Sequence, residues 1–256
     1  MVRRLEILAS EEEKFAFIAA RMRAAGGDAP LKILEAGCGR WWPFTTIGVP
    51  YHLTGVDIDA KALAFRKESR GDLDEAIVGD LQSVNLPDAA FDAIYCNCVL
   101  EHVKGADRVL DNFARWLKPG GILFLCVPDT RSVYGFVARF TPHAFHIWYY
   151  KRLRGHFLAG QPGHGPYKTY YERSTGHAGL RAFAAKNGLG IEAVHGVRNP
   201  PTVQHARLFR AIGMSSLGLL HGDYADLLVV FRKPDSTADS SAVAAAGARS
   251  LAPLMT

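Results

Sequence analysis

No part of this 256-residue chain holds the ~20 consecutive apolar residues that a membrane-spanning helix needs. The N-terminus carries Arg3 and Arg4, but no long apolar run precedes the acidic Glu11-Glu12-Glu13, which argues against a secretory signal. Cysteine is scarce: Cys38, Cys96, Cys98 and Cys126, with no Cys-x-x-Cys pair. That speaks against a disulfide framework and against a zinc site, and fits reduced thiols in a cytoplasmic protein. Large charge excess is also missing. Thirty Lys and Arg face 25 Asp and Glu, so +5 is weak support for an anionic partner or surface, and ordinary drift in surface charge is the favoured reading. Internal repeats are absent. The length suits one sizeable α/β core rather than two.

What the chain does have is a glycine turn between two strand patterns. Residues 31–40 read LKILEAGCGR, in which Leu31, Ile33 and Leu34 lead to an acid and then to Gly37-Cys38-Gly39. About 20 residues later a second apolar run, with Leu53 and Val56, ends at Asp57. Strand, glycine turn, crossover, strand and acid open a nucleotide-binding βαβ unit. The glycines let backbone approach a ligand closely, and Asp57 can accept both hydroxyls of a ribose.

The alternation continues. Ser10 and Glu13 form a capping box for a helix through about Arg23, with Phe15, Ile18 and Met22 on one face. Strands are expected at 31–36, 52–57, 75–79, 91–96, 121–127, 189–196 and 225–232. Pro43, Gly48 and Pro50 leave room for only a turn or two in the first crossover helix. Asp59 caps the next helix. Further helices are expected at 105–117 and 175–187, with Gly188 just past the end of the second, and over 203–220. Residues 1–233 then form a single doubly wound α/β domain. Its sheet is seven-stranded and mostly parallel, with a cap inserted at 129–173 between strands five and six. The Ser/Ala-rich 234–256 reads as a disordered tail.

Two nucleotide classes compete for the first turn. A dinucleotide wants Gly-x-Gly-x-x-Gly, but Trp42 occupies the third glycine position and the short first helix is a poor anion cradle. A sulfonium nucleoside has no phosphates and needs neither. The later motifs favour the second. Gly79-Asp80-Leu81 follows strand three, and Leu86-Pro87-Asp88 and Phe91-Asp92 lead into strand four. Val99-Leu100-Glu101-His102-Val103 follows it, and Leu117-Lys118-Pro119-Gly120-Gly121 precedes strand five. In order and spacing this series resembles the class I S-adenosylmethionine-dependent methyltransferases, in their ubiquinone-methyltransferase-like (type 11) small-molecule branch. The resemblance covers 31–127 strongly and 174–232 loosely.

The resemblance implies S-adenosylmethionine as cofactor and a role for particular residues. Glu35 matches the acid that orients the methionine amino group, and Gly37, Cys38 and Gly39 match the turn beneath the methionine part. Asp57 matches the ribose acid, Ile58 the apolar residue against adenine, and Asp80 with Leu81 the pair at the adenine edge. Asn97 matches the position whose backbone carbonyl meets the methionine ammonium. The departure is Trp41-Trp42, where relatives carry a small residue at 41. One of them could wall the methyl-donor pocket, since an aromatic face suits a sulfonium; both could equally be packing residues.

Other motifs have plainer readings. Glu101 and His102 are adjacent, so they cannot share a helix face, and packing is favoured over a metal. Asn199-Pro200-Pro201-Thr202 lies after strand six, not strand four, and reads as a turn rather than as a base-methylation motif. The 129–173 insert holds eleven aromatics among Arg, Lys and His. Most of these should form a small core of the cap itself. Phe136, Phe140, His143, Ile147 and Tyr150 have the spacing of one helix face despite Pro142.

Such a cap suits an apolar or glycan substrate with an anionic group, or a membrane surface. The scattered cations argue against nucleic acid. The expected function is methyl transfer to a small molecule, of lipid-linked or glycan type. Where the acceptor is a hydroxyl, His102, His143 and His146 are the candidate bases. A nicotinamide-dependent oxidoreductase and an inactive cofactor-binding scaffold are the alternatives. Oligomeric state is not legible.

Overall fold

A computed structural model describes residues 5–44, 46–161, 164–170 and 172–235. The chain opens with strand β1 (Glu6–Leu8) and helix α1 (Glu11–Ala25), then runs through β2 (Leu31–Ala36) and β3 (Tyr51–Asp57). Helix α2 (Ala60–Ala64) widens into a π-type segment, Phe65–Arg70, before β4 (Glu75–Val78) and β5 (Phe91–Asn97). Helix α3 (Ala106–Trp116) leads to β6 (Leu117–Pro128), and the cap helices α4 (Val133–Phe140) and α5 (His143–Arg152) follow. The chain returns through α6 (His177–Lys186), β7 (Gly190–Val197), α7 (Pro200–Gln204), α8 (Ala206–Ser215) and β8 (Asp226–Arg232).

The strands form one sheet in the order β1-β7-β8-β6-β5-β2-β3-β4. Only β8 runs antiparallel to its neighbours, β6 and β7. All seven expected strands are present. The eighth, β1, is itself an edge strand and pairs with β7; three residues are too few to show an alternating pattern. Both faces are covered, which is why β2, β5 and β6 read as near-continuous apolar runs. One face packs on α3 and α6 through Leu110, Phe113, Leu180 and Phe183.

The opposite face corrects the expected first crossover helix. Among the described residues, 41–50 form turns and bends with no helix. Pro43 and Pro50 lack a backbone donor, and Gly48 takes a left-handed φ of 86°. Trp42, Phe44 and Ile47 instead press their side chains into the core, where Ile18 and Met22 of α1 meet them. The N-terminal helix thus covers the face that the missing crossover helix leaves open. Helix α1 starts as expected: the Ser10 hydroxyl accepts the Glu13 amide at 3.3 Å, and Glu13 Oε2 accepts the Ala9 amide at 2.5 Å.

Two further expectations change. The helix over 203–220 is two helices that meet at His205. The cap divides at Pro142 into α4 and α5, so the five residues expected on one helix face lie on two helices. Residues 236–256 of the expected tail lie outside the described residues.

Candidate active site

Strands β2 and β5 are neighbours, and the chain winds outward from them in opposite directions, to β3 and β4 on one side and β6 on the other. A crevice therefore opens beyond their carboxyl ends. It holds a cavity of about 100 Å³ lined by Glu35, Gly37, Cys38, Trp41, Tyr95 and Asn97, with Ala36 and Pro43.

The turn after β2 has no freedom to carry other residues. Gly37 has φ 71°, and a Cβ there would run into the Val99 side chain. Its amide donates to the Val56 carbonyl at 2.8 Å. Asp57, at the end of β3, ties the turn down from the next strand. Its Oδ2 accepts the Gly39 amide at 2.8 Å, and its Oδ1 accepts the Asp59 amide at 2.8 Å. Each carboxylate oxygen keeps a second lone pair for another donor.

Beneath the turn lies the fully buried Arg66. Its guanidinium donates to the Cys38 carbonyl at 2.9 Å, to Glu35 Oε2 at 3.0 Å and to Asp72 Oδ1 at 2.5 Å. Burial pushes the Glu35 carboxyl up to about 8, against the pull of Arg66. The same burial, with Glu35 and Asp57 nearby, raises the Cys38 thiol, so it is an inert lining group rather than a nucleophile.

A second buried cation enters from α1. Lys14 Nζ donates to Glu11 Oε2 at 2.6 Å and to Asn97 Oδ1 at 2.9 Å. Its pKa is raised although desolvation opposes this, through the pull of neighbouring anionic groups that include Glu11. The two tryptophans have separate parts. Trp42 is buried, donates its ring N–H to the Tyr51 hydroxyl at 3.2 Å, and meets Phe44 and Tyr95 edge-on at 4.9 and 5.9 Å. Trp41 is 54% exposed, lines the cavity, and sets its ring against Phe15 at 5.4 Å.

Glu35, Gly37, Cys38 and Asn97 thus meet in one cavity, and Gly39 and Asp57 hold its floor. Ile58, Asp80 and Leu81 stand outside it, where β3 and β4 end. Ile58 is 76% exposed, an apolar side chain with no core to fill. Asp80 is exposed, and its Oδ1 accepts the Gln82 amide at 2.9 Å. Leu81 is buried and its carbonyl accepts from the Asn112 side chain at 2.8 Å.

The three histidines cluster at the junction with the cap. Burial lowers the pKa of both His102 and His146, and the nearby His143 lowers them further. His102 Nδ1 meets the Lys168 carbonyl at 3.0 Å, and His146 shares a short hydrogen bond with the Thr141 hydroxyl. The favoured packing role of Glu101 has a cost. Glu101 is buried, its Oε2 has no partner among the described residues, and its pKa is pushed up to about 8. No group of three or more potential ligands for a metal occurs among the described residues. Asn199 and Thr202 form a reciprocal cap at the start of α7, their side chains accepting each other's amides at 3.0 and 2.9 Å. The Asn-Pro-Pro segment is therefore a helix start.

Lys14, Arg66 and Tyr95 were not singled out from the sequence. Two of them had a signal. Lys14 precedes Ile18 by four residues and Met22 by eight, so it stands in the apolar stripe of α1. Arg66 likewise follows Ala62 by four on a buried helical face. Tyr95 has the alternation of any core strand residue.

With this geometry in hand, comparison with known proteins is specific. Residues 34–125 match the family model described as a methyltransferase domain. A malonyl-[acyl-carrier protein] O-methyltransferase of Pectobacterium atrosepticum is 30% identical over 98 residues, which is 36% of this chain and 37% of that protein. A sterol 24-C-methyltransferase of Gibberella zeae is 32% identical over 100 residues, 36% of this chain and 26% of that protein. An S-adenosylmethionine-dependent methyltransferase from Mesorhizobium loti has the same fold, with TM-score 0.52 at 19% identity over 83% of this chain and 95% of that one. Over residues 34–125 the chain is similar to methyltransferase domains, and its fold is that of an S-adenosylmethionine-dependent methyltransferase. The matched region spans about a third or less of the length of these two curated relatives. Family and fold imply S-adenosylmethionine, and the site disfavours a dinucleotide: among the described residues no helix begins after the glycine turn to receive a pyrophosphate.

Proposed function

We propose that this methyltransferase domain binds S-adenosylmethionine across the ends of β2, β3, β4 and β5 and methylates a small-molecule acceptor brought in under the cap. The observation that carries the reading is the donor and acceptor set around the glycine turn. Glu35 Oε1, left over from the Arg66 pair, and the Asn97 carbonyl can accept from an ammonium. The Lys14 ammonium beside Asn97 favours a carboxylate at the same end. Asp57 has lone pairs left for ribose hydroxyls, and exposed Ile58 offers an apolar platform for a base. Asp80 and Leu81 are assigned the adenine edge. When bound, S-adenosylmethionine supplies an electrophilic methyl group. The residues of the chain then need mainly to orient the acceptor and exclude water. Trp41 gives the cavity an aromatic wall that suits a sulfonium.

His102, His143 and His146 are the groups we assign to proton removal where the acceptor is a hydroxyl. Burial lowers the pKa of His102 and His146, which keeps these imidazoles neutral and able to accept at neutral pH. The relatives include an O-methyltransferase and a C-methyltransferase, so a lipid-linked or glycan-type acceptor is this reading's own step. Placement in the cytoplasm, suggested by four free cysteines, belongs to the same reading.

Calorimetric titration tests it. S-adenosylmethionine should bind and NAD should not, and Asp57→Ala should weaken S-adenosylmethionine at least about tenfold, the worth of a charge-assisted hydrogen-bond pair. Unchanged affinity in that variant contradicts the site. Methyl transfer from labelled cofactor into a cell extract would then separate an enzyme from a scaffold.

A further inference from the structure

Two stretches of the chain contain no acidic residue at all: 133–171 and 193–222. Together they carry eight Lys and Arg, while all 25 Asp and Glu lie elsewhere. The modest net charge therefore conceals a segregation, with the cationic excess concentrated in the cap and in the segment between β7 and β8. The fold brings the two together. The Val133 amide donates to the His221 carbonyl at 2.8 Å, the His221 amide to the Arg131 carbonyl at 3.0 Å, and α4 packs on α8.

The same elements are unusually apolar on the outside. Helix α5 holds Phe145, Trp148, Tyr149 and Tyr150, yet buries none of its ten residues. Phe145 and Trp148 stack on each other at 5.5 Å rather than on a core. Helix α8 buries only Gly213. Beyond these helices Leu217 is 94% exposed, Phe157 81% and Met214 77%. Scattered exposed apolar residues are ordinary on a soluble protein. The concentration of most of them on elements without acids, flanked by exposed Arg152, Arg154 and Arg207, is not.

We propose that this face docks on an anionic lipid bilayer. Large exposed apolar side chains interleaved with cations match the chemistry of an interfacial surface: the apolar groups enter the headgroup boundary and the cations meet lipid phosphates. Charge decides against a second copy of the chain. A two-fold interface would set this cationic face against itself, and Asp223 at its edge is already engaged by Arg210 at 3.3 Å. Nucleic acid would use the cations but leave Leu217, Leu219 and Met214 with no bases they could stack on. The docking stands on the surface alone and goes beyond the methyl-transfer reading. It bears on it at one point: the cap touches the rim of the site, where the Tyr170 amide donates to the Glu101 carbonyl at 2.6 Å.

The test is co-sedimentation of the full chain with vesicles of phosphatidylcholine alone and of phosphatidylcholine mixed with phosphatidylglycerol, at low and high salt. Binding is expected to the mixture only and to weaken with salt. Two double variants, Leu217→Ser with Leu219→Ser and Arg152→Glu with Arg154→Glu, should each lower it at least about tenfold. All four residues are exposed, so both variants should keep the wild-type melting temperature. S-adenosylmethionine affinity, measured separately, should not move, so loss of docking and loss of cofactor binding are distinguishable. Equal binding to both vesicles, or binding that ignores both variants, overturns the proposal. So does a concentration-dependent dimer abolished by the leucine variant, or affinity for a homopolymeric RNA in place of vesicles.

Discussion

The turn after β2 and the cap are both rich in aromatics and cations, and they use them in opposite ways. Beside the turn, Trp42, Phe44 and Tyr95 form a buried edge-to-face cluster, and each cation has assigned acids: Arg66 has Glu35 and Asp72, Lys14 has Glu11. In the cap, Phe145 and Trp148 stack at the surface, and the cations of 133–171 have no acid within their own stretch. The first arrangement fixes a geometry; the second leaves a surface for something outside the chain. Residue type alone does not separate them. The presence or absence of acids nearby does, because a buried charge without a partner costs several kcal/mol, whereas an exposed one is solvated.

The comparison is broken most severely at Arg66. Arg66→Ala removes the guanidinium from beneath the turn and leaves Glu35 buried without its partner. A loss of about 3–5 kcal/mol is expected in urea unfolding. An equivalent truncation in the cap, Arg152→Ala, should stay within about 0.5 kcal/mol. A similar small effect at Arg66 would mean that the turn does not depend on the pair.

The tryptophans sharpen the comparison at two adjacent positions. Trp42→Ala should cost about 3–4 kcal/mol, since it empties a fully buried ring site. Trp41→Ala should cost under about 1 kcal/mol in stability, because its ring is half exposed, and instead lower S-adenosylmethionine affinity. Equal stability losses at both positions would remove the distinction between a packing residue and a cavity wall.

These two positions also mark where the sequence was legible. The strands of the parallel core, the capping residues Ser10 and Asp59, and the turn Gly37-Cys38-Gly39 all announce themselves locally, by run length, side-chain oxygen or φ requirement. Trp41 and Trp42 do not, because which ring turns inward is decided by α1, whose packing over 41–50 no local pattern encodes. Lys14 and Arg66 were legible in principle as charges within apolar stripes. The cap misled for a different reason: its aromatic content suggested a small core, but two short helices divided at Pro142 cannot enclose one, and α5 buries nothing.

Glu101 gives a smaller effect than Arg66 or Trp42, and the most specific one. It is buried, faces Cys98 and Asp226, and has beside it His102, at 3.9 Å and with a pKa lowered by burial. In the unfolded chain a glutamate ionises near ~4.3, whereas in the fold it ionises near about 8. Between those values folding takes up a proton, so this group lowers stability progressively as pH rises from about 4.5 to about 8, and no further above. Glu101→Gln keeps the shape and removes the titration. Relative to the parent, the variant should gain roughly 2 kcal/mol between pH 6 and pH 8, and nothing more above pH 9. Urea unfolding at several pH values measures it. Parallel stability curves for parent and variant would mean that Glu101 is already solvated or paired, and would return the segment after β5 to the ordinary surface chemistry of the cap.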